Sequence, residues 1–103
     1  MKLHYLVALT AALSFSAHAA DEGEALYKKS GCAACHTVAK KLVGPAYKDV
    51  AAKYKGDKDA QAKLEKKVRA GGGGVWGAMA MPPQKTPSDA DISTLVKWVL
   101  SQK

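Results

Sequence analysis

Cys32-Ala33-Ala34-Cys35-His36 is the stretch that decides how this chain is read. Cysteines at i and i+3 lie on one face of a helical turn, and a histidine directly follows the second. Ala33 and Ala34 are too small to crowd a flat group laid against that face. Thiols at this spacing suit two thioether bonds to the vinyl groups of a porphyrin. The next residue is then held beneath the metal, where an imidazole nitrogen serves as proximal ligand. The pattern is that of covalent c-type haem attachment, with Cys32 and Cys35 as thioether residues and His36 as an axial ligand.

Three other uses of Cys-x-x-Cys fit less well. A zinc site needs four ligands, and there is no second cysteine pair or His-x-x-x-His to complete them. A thioredoxin-like redox pair needs a βαβ pattern that the sequence lacks. A disulfide closing so short a loop removes little chain entropy and would stabilise little.

The N-terminus sharpens the ligand count. Residues 1–19 have one basic residue, Lys2, then an apolar stretch through Leu6–Leu9 and Ala11–Leu13, then the small residues Ala17-His18-Ala19. This is the layout of a secretory leader cleaved after Ala19. Its apolar part is shorter than the roughly 20 residues a bilayer-spanning helix needs, and Thr10, Ser14, Ser16 and His18 dilute it. The mature chain is then a single domain over residues 20–103. The chain's three histidines are His4, His18 and His36, so only His36 remains after cleavage. A bis-histidine haem within one chain is excluded, and the site is single-haem.

Two methionines, Met79 and Met81, remain for the other side of the iron. They stand two apart, so in an extended segment both point the same way. Pro82-Pro83 would stiffen the chain directly behind Met81. The pattern leaves both sulfurs open as ligands, with core packing as the alternative use of either. A protonated lysine cannot bind iron near neutral pH.

The surrounding sequence reads as all-α, three or four short helices around the cofactor. Asp21-Glu22-Gly23-Glu24 puts acidic residues at a helix start, and Ser30-Gly31 ends that helix before Cys32. Lys40 to Pro45 is a loop closed by Gly44-Pro45. A helix from Ala46 to about Tyr54 buries Tyr47, Val50, Ala51 and Tyr54. Asp59 to Ala70 carries the stripe Ala60, Leu64, Val68, with Asp59 and Lys63 placed to pair on the solvent face. Gly71–Gly74 stops that helix, and no Gly-Lys-Ser or Gly-Lys-Thr follows to make it a phosphate loop. Val75 to Pro87 is extended and irregular. Ser88-Asp89-Ala90-Asp91 resembles a capping box, and Ile92, Leu95, Val96, Val99 and Leu100 form one helical face behind it.

Several blocks in order resemble the small bacterial class I cytochromes c of the c-551/c-552 type. They are Cys-x-x-Cys-His, Val43 to Lys53, Gly74-Val75-Trp76-Gly77, Met81-Pro82-Pro83 and the terminal Trp98 to Lys103. The resemblance spans essentially the whole of residues 20–103. It implies a cytochrome c fold of four helices wrapped around one haem c, His36 and Met81 as axial iron ligands, and single-electron shuttling in the periplasm. It further implies that the Pro45 carbonyl accepts the other ring N–H of His36. It also implies that Trp76 donates its indole N–H to a haem propionate, with Lys67 or Arg69 nearby. Two positions depart from the pattern. Gln84 stands where Asn is frequent, and Met79 stands where Ile or Val is common.

With both axial positions taken, no substrate can reach the iron, and function reduces to outer-sphere electron transfer rather than catalysis. A five-coordinate haem sensor or peroxidase is the alternative if Met81 is not a stable ligand, and no distal His or Arg pair is evident for either. A haem-free dithiol protein is a third class. The chain has 16 Lys+Arg against 9 Asp+Glu, a net charge of +7. Export removes nucleic acid as a partner, and lysines near the haem edge would steer a monomeric carrier onto acidic-faced redox proteins. A reductase on one side, and a terminal oxidase or nitrite reductase on the other, fit that role. Haem would also supply a large apolar core and two covalent staples to a small domain, so the apo chain is expected to fold poorly.

Overall fold

A computed structural model describes residues 15–103, with side chains described from residue 20. The leader expected over residues 1–19 lies largely outside the described residues. Four α-helices follow in order: α1 Phe15–Lys29, α2 Tyr47–Lys53, α3 Ala60–Ala70 and α4 Asp89–Leu100. A single 3-10 turn, Cys32–Ala34, stands between α1 and α2. Among the described residues the only β-pairing is one antiparallel bridge, Gly72 with Met81.

α1 is described from Phe15 onward, so it already runs before the acidic Asp21-Glu22 where the sequence placed a helix start. Alanines at 17, 19, 20 and 25 are strong helix formers, and nothing between them breaks the helix. Asp21, Glu22 and Glu24 therefore lie inside it. Its end is as the sequence indicates. Lys28 and Lys29 occupy the last turn, where the helix dipole favours cations. The Ser30 N–H donates to the Leu26 carbonyl at 2.8 Å, and Gly31 takes φ +77°, turning the chain towards Cys32.

α3 begins differently from expectation too. Lys63 pairs with Asp57 at 2.8 Å rather than with Asp59. Asp57 lies just upstream of the helix, where one carboxylate oxygen takes the Asp59 backbone N–H at 2.8 Å and the other takes Lys63. One side chain thus serves a backbone donor and a helix lysine together, which Asp59 does not do. α4 starts as expected, with the Ser88 hydroxyl accepting the Asp91 N–H at 3.1 Å.

α4 is the central element and packs against α1, α2 and α3. Ile92, Leu95, Val96, Trp98 and Val99 are all buried on it, with Val96 only 1% exposed. Trp98 widens the expected face by one position. It reaches α1, where Gly23 is so close that a Cβ there would run into the indole. Tyr47, Val50 and Ala51 of α2 complete the core, while Tyr54 is half-buried. On α3, Ala60 is buried but Leu64 and Val68 are only half-buried. Both line a cleft, and Leu64 also packs against the α2–α4 core.

Candidate functional site

The cleft holds about 230 Å³ and is bounded by the Cys32–His36 turn, α3, α4 and the 72–82 segment. Cys32, Cys35 and His36 all line it. The two cysteines are free thiols, not joined to each other. Their 3-10 turn is held by the Cys35 and His36 N–H groups, which both donate to the Cys32 carbonyl, at 3.1 and 2.9 Å. Burial pushes the Cys32 thiol above its ordinary pKa, against a lowering hydrogen bond with Tyr47. Burial likewise pushes the Tyr47 phenol up, so both groups stay neutral at physiological pH.

His36 is fixed on three sides. Its Nδ1 lies 2.8 Å from the Pro45 carbonyl oxygen. A ring N–H donated there leaves Nε2 as the nitrogen with a lone pair for a metal. Tyr47 stacks on the imidazole with centroids 4.9 Å apart. Gly44 presses against it so closely that any Cβ at that position would overlap the ring. Behind these, the Tyr27 hydroxyl donates to the His36 carbonyl at 2.5 Å. Tyr27, Tyr47 and Trp98 pack ring against ring, linking the histidine to α1 and α4.

On the facing wall, Met79 and Met81 both line the cleft. Met81 is held by the bridge to Gly72, whose N–H donates to the Met81 carbonyl at 2.9 Å and whose carbonyl accepts the Met81 N–H at 3.1 Å. Next to it, Gly71 has φ +68°, and a Cβ there would collide with the Met81 carbonyl. Gln84, the departure noted in the sequence, donates its side-chain amide to the Pro82 carbonyl at 3.0 Å. Met79 is 72% exposed.

Trp76 lines the cleft mouth at 38% exposure, and the Lys53 ammonium stands over its ring, 5.6 Å from the centroid. Of the two cations expected near it, Lys67 lines the cleft. Arg69 does not. Its guanidinium is taken up by the Gln84 and Lys85 carbonyls and by Asp89 at 2.7 Å. The structure therefore brings together Cys32, Cys35, His36, Pro45, Trp76 and Met81 and leaves Arg69 outside.

The sequence reading missed Gly44, Lys53, Gly72 and the stacking role of Tyr47. A glycine directly before Pro45 was the one available sign that backbone had to approach a ring closely.

This set of residues fits a covalently held haem. Two thiols and one oriented imidazole share an apolar cleft. Leu64, Val68, Leu95, Val96 and Val99 wall it, and Met79 and Met81 line it too. Soft sulfur and imidazole donors suit iron, and apolar walls suit a porphyrin.

Comparison with known proteins agrees with that fit. The Cytochrome c family model matches residues 20–103. The chain is 48% identical to cytochrome c-551 of Pseudomonas aeruginosa over the full length of both chains. It is 44% identical to cytochrome c-552 of Nitrosomonas europaea, again over all of both. The crystal structure of Nitrosomonas europaea cytochrome c552 superposes with a TM-score of 0.75 at 49% identity, covering 78% of this chain and 99% of that one. The chain belongs to the cytochrome c family, as a small electron carrier with one covalently attached haem c and not an enzyme.

Proposed function

We propose that this protein carries single electrons in the periplasm between a reductase and a terminal oxidase or nitrite reductase. In this reading Cys32 and Cys35 hold the haem by thioether bonds, and His36 and Met81 bind the iron. The supporting observation is the cleft itself. An imidazole oriented by Pro45 and a methionine whose backbone is held by Gly72 line one apolar space that both cysteines also line.

Bound haem supplies a one-electron couple at its iron. The chain's residues set the conditions under which that couple works. Pro45, Gly44 and Tyr47 fix the imidazole, so little has to rearrange when charge changes. The Gly72 bridge does the same for the segment bearing Met81. Walls from α3 and α4 exclude water, and a methionine ligand raises the potential. Trp76 and Lys67 both line the cleft and would supply an N–H donor and a cation to a haem propionate. The haem edge would meet partners at the mouth framed by Val43, Val75 and Trp76, which are exposed apolar residues. The chain's excess of basic over acidic residues, 16 Lys+Arg against 9 Asp+Glu, favours acidic-faced partners.

Residues 1–19 act as the export leader in this reading, and residues 20–103 form the mature monomer. No helix among the described residues is long and apolar enough to cross a membrane.

Voltammetry of the mature holoprotein, with and without carbon monoxide, tests the proposal. One reversible one-electron wave, unmoved by the gas, is the expected result. Ready binding of carbon monoxide by the reduced protein would mean an open iron position, and would favour the sensor or peroxidase reading instead.

A further inference from the structure

Two methionines line the cleft, and they are held very differently. Both Met79 and Met81 line the space that His36 lines. Met81 exchanges both backbone hydrogen bonds with Gly72. Met79 makes no backbone hydrogen bond among the described residues, and it is 72% exposed. The turn that carries it contains Gly74 and Gly77, at φ +102° and +119°, backbone states that glycine enters freely.

We infer that Met79 is a reserve iron ligand, whose sulfur occupies the sixth position when that of Met81 is lost. This rests on the reading that Met81 is the resident ligand. Met79 starts roughly 6.6 Å back along an extended chain, at about 3.3 Å per residue. The turn between Gly73 and Ala80 has a single backbone bond of its own, from the Gly74 N–H to the Gly77 carbonyl. It can therefore move while α3 and α4 keep their packing. The cost is the pair of bonds at Gly72, which explains why Met81 holds the position while its sulfur is present. Competition is weak. Residues 20–103 hold no second histidine.

The test uses the holoprotein with Met79→Ala, Met81→Ala and both together. Ferric spectra are read for the weak long-wavelength methionine–iron charge-transfer band, and ferrous proton NMR for the strongly upfield-shifted methyl of a bound methionine. Far-UV circular dichroism establishes that the helices persist. If M81A is not helical, Met81→Leu keeps the apolar bulk and takes its place.

Both signatures should persist in M79A, persist in M81A and vanish in the double variant. Imidazole should bind M81A at least tenfold more weakly than the double variant, because Met79 must first be displaced. Loss of both signatures in helical M81A, or equal imidazole affinity in M81A and the double variant, overturns the inference and leaves the reading of Met81 intact. Loss in M79A instead overturns both, since Met79 would then be the resident ligand.

Discussion

The imidazole of His36 lies almost parallel to the ring of Tyr47, with centroids 4.9 Å apart and planes 20° from coplanar. Tyr47 is 5% exposed and also packs edge-on against Tyr27 and Trp98. One side chain thus joins the proposed iron ligand to the hydrophobic core. Tyr47→Ala should cost about 3 kcal/mol, the range for emptying a buried aromatic site. Tyr47→Phe keeps the stack and should cost much less. Denaturant unfolding of the two holoproteins measures the difference.

Gly44 and Gly56 separate two reasons for keeping a glycine. Gly56 has φ +81° but open space around it, so Gly56→Ala should cost about 1 kcal/mol of backbone strain and leave the haem spectrum unchanged. Gly44 has no such dihedral, yet a Cβ there overlaps the His36 ring. Gly44→Ala should push the imidazole off the Pro45 carbonyl, shift the haem spectrum and cost about 1–3 kcal/mol. Spectra and unfolding curves of both variants check the contrast.

Gly71 combines the two effects. Its φ of +68° and its contact with the Met81 carbonyl both exclude a side chain. Gly71→Ala should loosen the bridge beside Met81 and weaken the methionine–iron band while the helices persist. The ferric spectrum and far-UV circular dichroism report these separately.

Asp57 gives a pH prediction. The hydrogen bond from Lys63 holds its carboxyl below the usual range, helped by the Asp59 N–H. A depressed folded pKa contributes stability that is present above the ordinary carboxylate value and is lost as pH falls through the folded one. Lys63, raised by the same partner, contributes stability that is present below its ordinary value and is lost as pH rises through the raised one. Asp57→Asn should therefore flatten both the acid and the alkaline limbs of a stability profile. Unfolding midpoints across pH measure this.

Much of this architecture was legible because its causes are local. The stripe Ile92, Leu95, Val96, Val99 needs only helical periodicity, and the Ser88 cap only the next three residues. Cys32, Cys35 and His36 are contiguous, so spacing alone joined them. What was not legible depended on distant approach. Lys53 over Trp76, Gly72 against Met81 and Tyr47 on His36 each bring together residues from different elements. The resemblance implied Lys67 or Arg69 near Trp76, and of the two the Asp89 carboxylate and the Gln84 and Lys85 carbonyls hold Arg69 away from the cleft.

The most direct measurement is the visible spectrum of the mature holoprotein, oxidised and reduced. The account predicts the weak methionine–iron charge-transfer band in the oxidised form and sharp α and β peaks in the reduced form. A haem spectrum without that band would contradict ligation by His36 and Met81, and a fully matured protein without haem would contradict the whole account.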